Sequence, residues 1–235
     1  MEVSKANRAL IGRWAKSHAF VMVLATLPVY INQLIIPLIT AGMVSFVLLI
    51  LMNRRTWLQY GYWGGSANMI TSLRLLLIFG LMLGSSVFSH ELLAFLGVLT
   101  LLADGVDGYL ARRFQTTSFF GGYYDMETDA FFVLSMSAVL YITGLAGGWI
   151  LLIGLTRYAF VLIKMFIKEK KQIQTRSYLG QFIAVFLMGS LLTGLLVPKA
   201  IYLPLIVLAG VMVLFSFVRE LVWIIRANRR VYENA

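Results

Sequence analysis

The chain has 235 residues, is 60% hydrophobic and 13% charged, and carries a net charge of +10. That balance excludes an ordinary soluble domain and a disordered chain. It also argues against a nucleic-acid module, because the basic residues cluster between apolar spans rather than on a soluble patch interleaved with aromatics.

The polar/apolar alternation of a β-barrel is absent, so the long apolar stretches read as helices. Lys5, Arg8, Arg13 and Lys16 precede the first apolar run and resemble the basic region of a signal peptide. The run is too long for one, and no small-residue cleavage site follows it cleanly, so the segment is expected to be retained. The absence of cysteine is compatible with any compartment.

Residues 19–52 are almost continuously apolar, too many for one upright helix at roughly 1.5 Å per residue. Pro28, Asn32, Gln33 and Pro37 interrupt the middle. A hairpin of two short helices turning there leaves Lys16 and Arg54-Arg55 on one side, and a single long kinked helix is the alternative. Six further spans are expected near 68–88, 92–112, 122–145, 148–167, 178–197 and 201–226. The fold class is therefore all-α integral membrane. Residues 1–60 form an N-terminal extension with one or two membrane helices, and residues 61–235 the main membrane domain.

The connections at His90-Glu91, 146–148 and Pro198-Lys199 are short and make antiparallel helical hairpins. They hold Lys199 alone among the Lys and Arg residues. The opposite connections and the tail hold Arg112-Arg113, Lys168, Lys170, Lys171, Arg176, Arg226, Arg229 and Arg230. The asymmetry puts the 113–121 loop and both chain ends in the cytoplasm of a multi-pass membrane protein. A basic inner face also attracts anionic lipids and substrates.

Four aspartates stand out in this apolar setting: Asp104, Asp107, Asp125 and Asp129. An ionised carboxylate in or near a bilayer is costly and marks a functional site by default. Oxygen-only ligation by Asp points to Mg²⁺, Mn²⁺ or Ca²⁺ rather than zinc. Asp104 and Asp107 are three apart and Asp125 and Asp129 four apart, so each pair shares one face of its helix. The two helices are consecutive, so the pairs can face each other as one pocket near the cytoplasmic surface. Gly108 and Ala111, each four residues after an aspartate, allow close helix approach. Gly121-Gly122 is expected to let the loop turn into the next helix. Glu127 lies about 200° round the helix from Asp125 and is expected to face away.

The spacing D-x2-D-G-x2-A-R-x8-G-x3-D-x3-D is met by Asp104, Asp107, Gly108, Ala111, Arg112, Gly121, Asp125 and Asp129. It resembles the signature of the CDP-alcohol phosphotransferase family, which includes the phosphatidyltransferases of phospholipid synthesis. The resemblance in span pattern covers about residues 66–230. Asn68, Thr71 and Arg74 also look like the N-x2-T-x2-R start of that family's first core helix, where the helix end helps hold the nucleotide.

The resemblance implies six core transmembrane helices around a polar cavity open to the cytoplasm, usually in a homodimer. It implies transfer of a phospho-alcohol group from a CDP-linked lipid donor such as CDP-diacylglycerol to the hydroxyl of a small alcohol or phospho-alcohol, with CMP leaving. By matching positions, Asp104, Asp107, Asp125 and Asp129 would bind two Mg²⁺ or Mn²⁺ ions, and Asp129 would also serve as general base. Asn68, Thr71, Gly108, Arg112 and Ser118 would contact the CDP-alcohol. The chemistry is coherent: four carboxylates alone would repel a pyrophosphate, and two divalent cations offset them and can stabilise attacking and leaving oxygens. A carboxylate beside cations is a weak base, but it can accept the proton late, as the hydroxyl loses it in the transition state. Arg112 has a plainer reading as a positive-inside anchor.

Arg157 lies mid-span, Lys164 is seven further on, and Arg219 lies in the last span beside Glu220. An intramembrane Arg needs a reason. One is an acceptor that carries its own phosphate; the other is local pairing of Arg219, or snorkelling of Lys164. Phosphatidylglycerolphosphate synthases more often show Pro after the third aspartate and Lys after the fourth. Here Met126 and Ala130 stand instead, which leaves glycerol phosphate, inositol or its phosphate, serine and choline open as acceptors.

Two other readings compete. An Asp-rich, magnesium-dependent membrane prenyltransferase would want two separated acidic helices with their own spacing. A non-enzymatic cation-binding transporter would leave Gly108, Ala111 and Arg112 unexplained. His18 and His90 are read as interfacial, and Tyr123 and Tyr124 as interface anchors rather than cavity lining.

Overall fold

The computed structural model describes residues 2–58, 65–113, 119–167 and 178–233. Side chains are described within these segments except at 2–6, 55–56, 66, 106–113, 178 and 227–233. Among the described residues all regular structure is helical: α1 (Glu2–Asn32), α2 (Ile36–Met52), the short α3 (Arg54–Leu58), α4 (Ser66–Leu83), α5 (His90–Arg113), α6 (Phe119–Ile142), α7 (Ile150–Phe166), α8 (Tyr178–Leu196) and α9 (Lys199–Glu233), with a 3₁₀ turn at Gly84–Ser86.

The apolar run at 19–52 is two helices, not one kinked helix. α1 tolerates Pro28 and ends at Gln33, whose φ is +56°. The Gln33 amide donates to the Val29 carbonyl at 3.0 Å, the single bond of an αL termination, and the Leu34 amide donates to the Pro28 carbonyl at 3.2 Å. Pro37 then sits in the first turn of α2, where a missing N–H costs nothing. The chain doubles back: the Trp14 indole N–H donates to the Ser45 carbonyl at 3.0 Å, and His18 meets the Ser45 hydroxyl.

Each of the six later predicted spans coincides with one helix, and the last runs on to Glu233. Among the described residues, four helical stretches are long and apolar enough to cross a membrane: Asn7–Asn32, Ala67–Ser86, Leu179–Leu196 and Lys199–Arg226. The chain is thus an all-α membrane-spanning bundle.

α6 is its centre, packed against α1, α4, α7 and α8. Every residue from Ala130 to Leu140 is buried. Gly121 and Gly122 lie inside the first turns of this helix rather than in a loop. Packing explains the earlier start: Phe120 lies edge-on to Trp57 and stacks on Tyr124 one turn later, so burial carries the helix back past the glycines.

At Gly154 of α7 a Cβ would stand 2.9 Å from the Leu134 Cα and 3.0 Å from Ser137 Oγ. Because the obstacle includes backbone, Gly154→Ala should destabilise the bundle by about 1–3 kcal/mol, as overpacking does. Thermal unfolding in detergent reads this out. Gly12→Ala, whose Cβ would meet nothing within 4 Å, should leave the transition in place.

Candidate active site

α4, α5 and α6 bring three carboxylates together. Asp104, Asp125 and Asp129 each offer an oxygen, and these oxygens all lie within 4.8 Å of one another. The helical spacing accounts for it: Asp125 and Asp129 are one turn apart on α6 and present one face to α4 and to Asp104 of α5. The three side chains are about a third exposed (28%, 33% and 29%), so the cluster opens outward rather than being sealed.

The group at its centre is Arg74 of α4, only 1% exposed. Its Nη1 lies 2.9 Å from Asp104 Oδ1 and donates to Asp125 Oδ1 at 2.6 Å, while Nη2 donates to Asp129 Oδ1. One guanidinium against three carboxylates leaves the cluster with an excess of two negative charges. An all-oxygen donor set of this kind fits a hard divalent cation. The residues present can therefore coordinate one such ion.

Arg74 closes the N-x2-T-x2-R stretch, which the sequence gives only as a helix start that helps hold the nucleotide, with no place among the carboxylates. The signal was available: an Arg in an otherwise apolar span calls for a carboxylate partner, a rule applied to Arg157 and not to Arg74.

Asn68 and Thr71, the expected nucleotide contacts, lie about two turns and about one turn before Arg74 on α4, and both are buried. The Thr71 hydroxyl donates to the Ala67 carbonyl at 3.1 Å. Between them and Arg74, Ser72 bonds the Tyr124 hydroxyl at 3.1 Å and ties α4 to α6. Tyr124 is fully buried and so is not an interface anchor. Asp107, Gly108 and Arg112 lie on the α5 backbone, with side-chain positions outside the described residues, and Ser118 lies outside them altogether.

The expected acceptor-side cations are held elsewhere. Arg157 of α7 donates from Nη2 to Glu127 Oε1 at 2.9 Å and contacts the Met126 sulfur at 3.3 Å. Glu127, 1% exposed, thus turns to α7 while its neighbours Asp125 and Asp129 turn to α4. Lys164 Nζ stands 3.9 Å from Glu220 Oε1 and 5.4 Å from the Phe160 ring centre. Arg219 is exposed on α9, where it lines a shallow apolar groove of about 300 Å³ with Phe215, Val218, Val222, Trp223 and Arg226.

His90 is exposed at the start of α5, but His18 is not interfacial. It is buried between Trp14, Phe46 and Tyr158, because the hairpin folds α1 onto α7 and α2.

No curated protein and no solved structure matches the chain. The profile of the CDP-alcohol phosphatidyltransferase family matches residues 65–224, from the start of α4 well into α9 and including every member of the carboxylate cluster and Arg74. With its acidic spacing complete and three of the four aspartates converging on one point, the chain belongs to the CDP-alcohol phosphatidyltransferase family and is a membrane enzyme of lipid metabolism that transfers a phospho-group from a CDP-alcohol.

Proposed function

We propose that the enzyme moves a phosphatidyl group from CDP-diacylglycerol to the hydroxyl of a small alcohol or phospho-alcohol. The acceptor oxygen attacks the phosphorus that bears the lipid alcohol. The pyrophosphate P–O bond breaks, CMP leaves with the bridging oxygen, and the acceptor proton passes to Asp129. Asp104, Asp107, Asp125 and Asp129 would hold two Mg²⁺ or Mn²⁺ ions, which would supply charge stabilisation for the transfer. Asn68, Thr71, Gly108, Arg112 and Ser118 contact the CDP-alcohol.

In this reading α4 to α9 form a six-helix transmembrane core within the catalytic domain 61–235, and 1–60 is an extension whose α1 and α2 form a membrane hairpin. The site faces the cytoplasm, and two copies associate among membrane lipids. The observation that carries it is the meeting of Asp104, Asp125 and Asp129 within 4.8 Å on helices that also hold the family's acidic spacing. The basic asymmetry of the connections supports the orientation.

For the acceptor, Arg157 is the weakest of the candidate cations, since Glu127 already neutralises it. Lys164 and Arg219 stand nearer the basic end of the bundle and remain the better candidates for an acceptor phosphate.

The test is CMP release by purified protein in detergent with CDP-diacylglycerol, Mg²⁺ or Mn²⁺ and a panel of acceptors. Acceptor-dependent release that stops on chelation is the expected result and names the acceptor. No release with any acceptor from folded protein would point to another CDP-linked donor.

A further inference from the structure

The far side of α6 carries a second polar cluster that the transfer reaction does not use. Around the Glu127–Arg157 pair lie His18 of α1, Ser45 of α2 and Tyr158 of α7. His18 is 1% exposed, stacked on Trp14 at 4.7 Å and edge-on to Phe46 at 5.1 Å and Tyr158 at 5.6 Å. Its Nδ1 lies 2.7 Å from Ser45 Oγ. Both His18 and Tyr158 interact electrostatically with Glu127 and Arg157.

Three atoms at this junction are buried without a hydrogen-bond partner among the described residues: His18 Nε2, Arg157 Nε and Tyr158 Oη. Native interiors rarely leave such atoms unpaired, and a carboxylate has several lone-pair sites to offer. The Arg157 bond uses Glu127 Oε1. If the Ser45 hydroxyl donates to Nδ1, the ring proton is assigned to Nε2, which makes the unpartnered atom a donor.

We propose that His18 is a positioning residue for the transfer reaction, acting through Glu127 and Arg157 on the rotational setting of α6. The proposal rests on the functional reading above. α6 is gripped on one side by Arg74, through Asp125 and Asp129, and on the other by Arg157, through Glu127. The three acidic residues share fewer than two turns of one helix, so a rotation that loosens Glu127 also displaces both aspartates. In this proposal His18 keeps the second grip closed through the junction it shares with Tyr158, the residue beside Arg157 on α7, where the unpartnered His18 Nε2, Arg157 Nε and Tyr158 Oη lie. His18 lies outside the matched residues 65–224. The hairpin is thus part of the catalytic apparatus rather than an appendage to it.

The test uses the full chain in detergent and two readouts: Mn²⁺ binding followed by electron paramagnetic resonance, and steady-state CMP release. His18→Phe keeps the ring stacking and removes both nitrogens. It should weaken Mn²⁺ binding by about tenfold, in the range seen when partners behind metal ligands are lost. It should also lower kcat by about tenfold with the donor KM nearly unchanged, the pattern of a displaced rather than an unbound substrate. His18→Gln, which retains a polar atom near Nε2, should recover most of both. Ser45→Ala, which frees the ring without changing its volume, should move both readouts in the direction of His18→Phe and serves if that variant does not fold. Wild-type Mn²⁺ affinity in folded His18→Phe or Ser45→Ala, or no recovery in His18→Gln, would overturn the proposal. Wild-type protein that binds Mn²⁺ yet releases no CMP would instead sink the functional reading, and the Mn²⁺ series would still judge His18.

Discussion

Asp129→Asn should abolish CMP release, by roughly 10²–10⁴-fold, the contribution typical of a positioned proton acceptor. The substitution keeps the shape of the side chain and removes its charge. It acts twice, since Asp129 belongs to the carboxylate trio and also accepts a bond from Arg74. The measurement is kcat at saturating donor and acceptor, with the unfolding temperature taken alongside. The fold should tolerate the change, because an Asn oxygen still accepts from the guanidinium and the site loses one of its repelling negative charges. Activity surviving within a few-fold of wild type would remove Asp129 from the base role. The same loss in Asp104→Asn and Asp125→Asn, together with weaker Mn²⁺ binding, would place those two in ligation.

Arg74→Met should have the largest effect on stability. Its guanidinium is buried and satisfies three carboxylates at once. Breaking a buried charge cluster by removing one partner typically costs about 3–5 kcal/mol, because the remaining charges are left uncompensated. The specific expectation is a metal-dependent one. Without divalent ions, Arg74→Met should unfold at markedly lower temperature than wild type. With millimolar Mg²⁺ or Mn²⁺ the difference should shrink, since a bound cation takes over the role of counter-ion and stabilises the folded state by mass action. Wild type should respond less to the same ions. Equal metal responses in the two proteins would mean that Arg74 does not stand in for a cation.

The sequence made much of this legible because a membrane enforces simple rules. Apolar run lengths and short turns located α4 to α9 apart from the extension of α9 to Glu233, and the four-residue spacing placed Asp125 and Asp129 on one face and Glu127 on another. Helix periodicity is a local property, so it can be read locally. What stayed hidden depends on which helix lies beside which. That Arg74 reaches across to α5 and α6, and that Arg157 meets Glu127, are contacts between segments far apart in the chain. His18 looked interfacial because it follows a basic stretch near a span end, and only the fold of α1 onto α2 and α7 buries it. The glycines at 121 and 122 misled for a related reason: their backbone freedom is real, but burial of Phe120 against Trp57 outweighs it.

The enclosure of α6 has a consequence for biogenesis. This helix carries Asp125, Glu127 and Asp129 within its first turns and is then buried without interruption from Ala130 to Leu140. A charged residue costs about 2.5–3.5 kcal/mol at the centre of a helix handed singly to lipid by the translocon, and less toward the end where these three acids lie. α6 is therefore a poor lodger on its own. The cation for its two aspartates is synthesised before it, on α4, and the cation for its glutamate after it, on α7. In the six-helix reading proposed above, entry of α6 into the bilayer becomes a joint event, with α4 already waiting at the exit site and α7 needed to complete the charge balance.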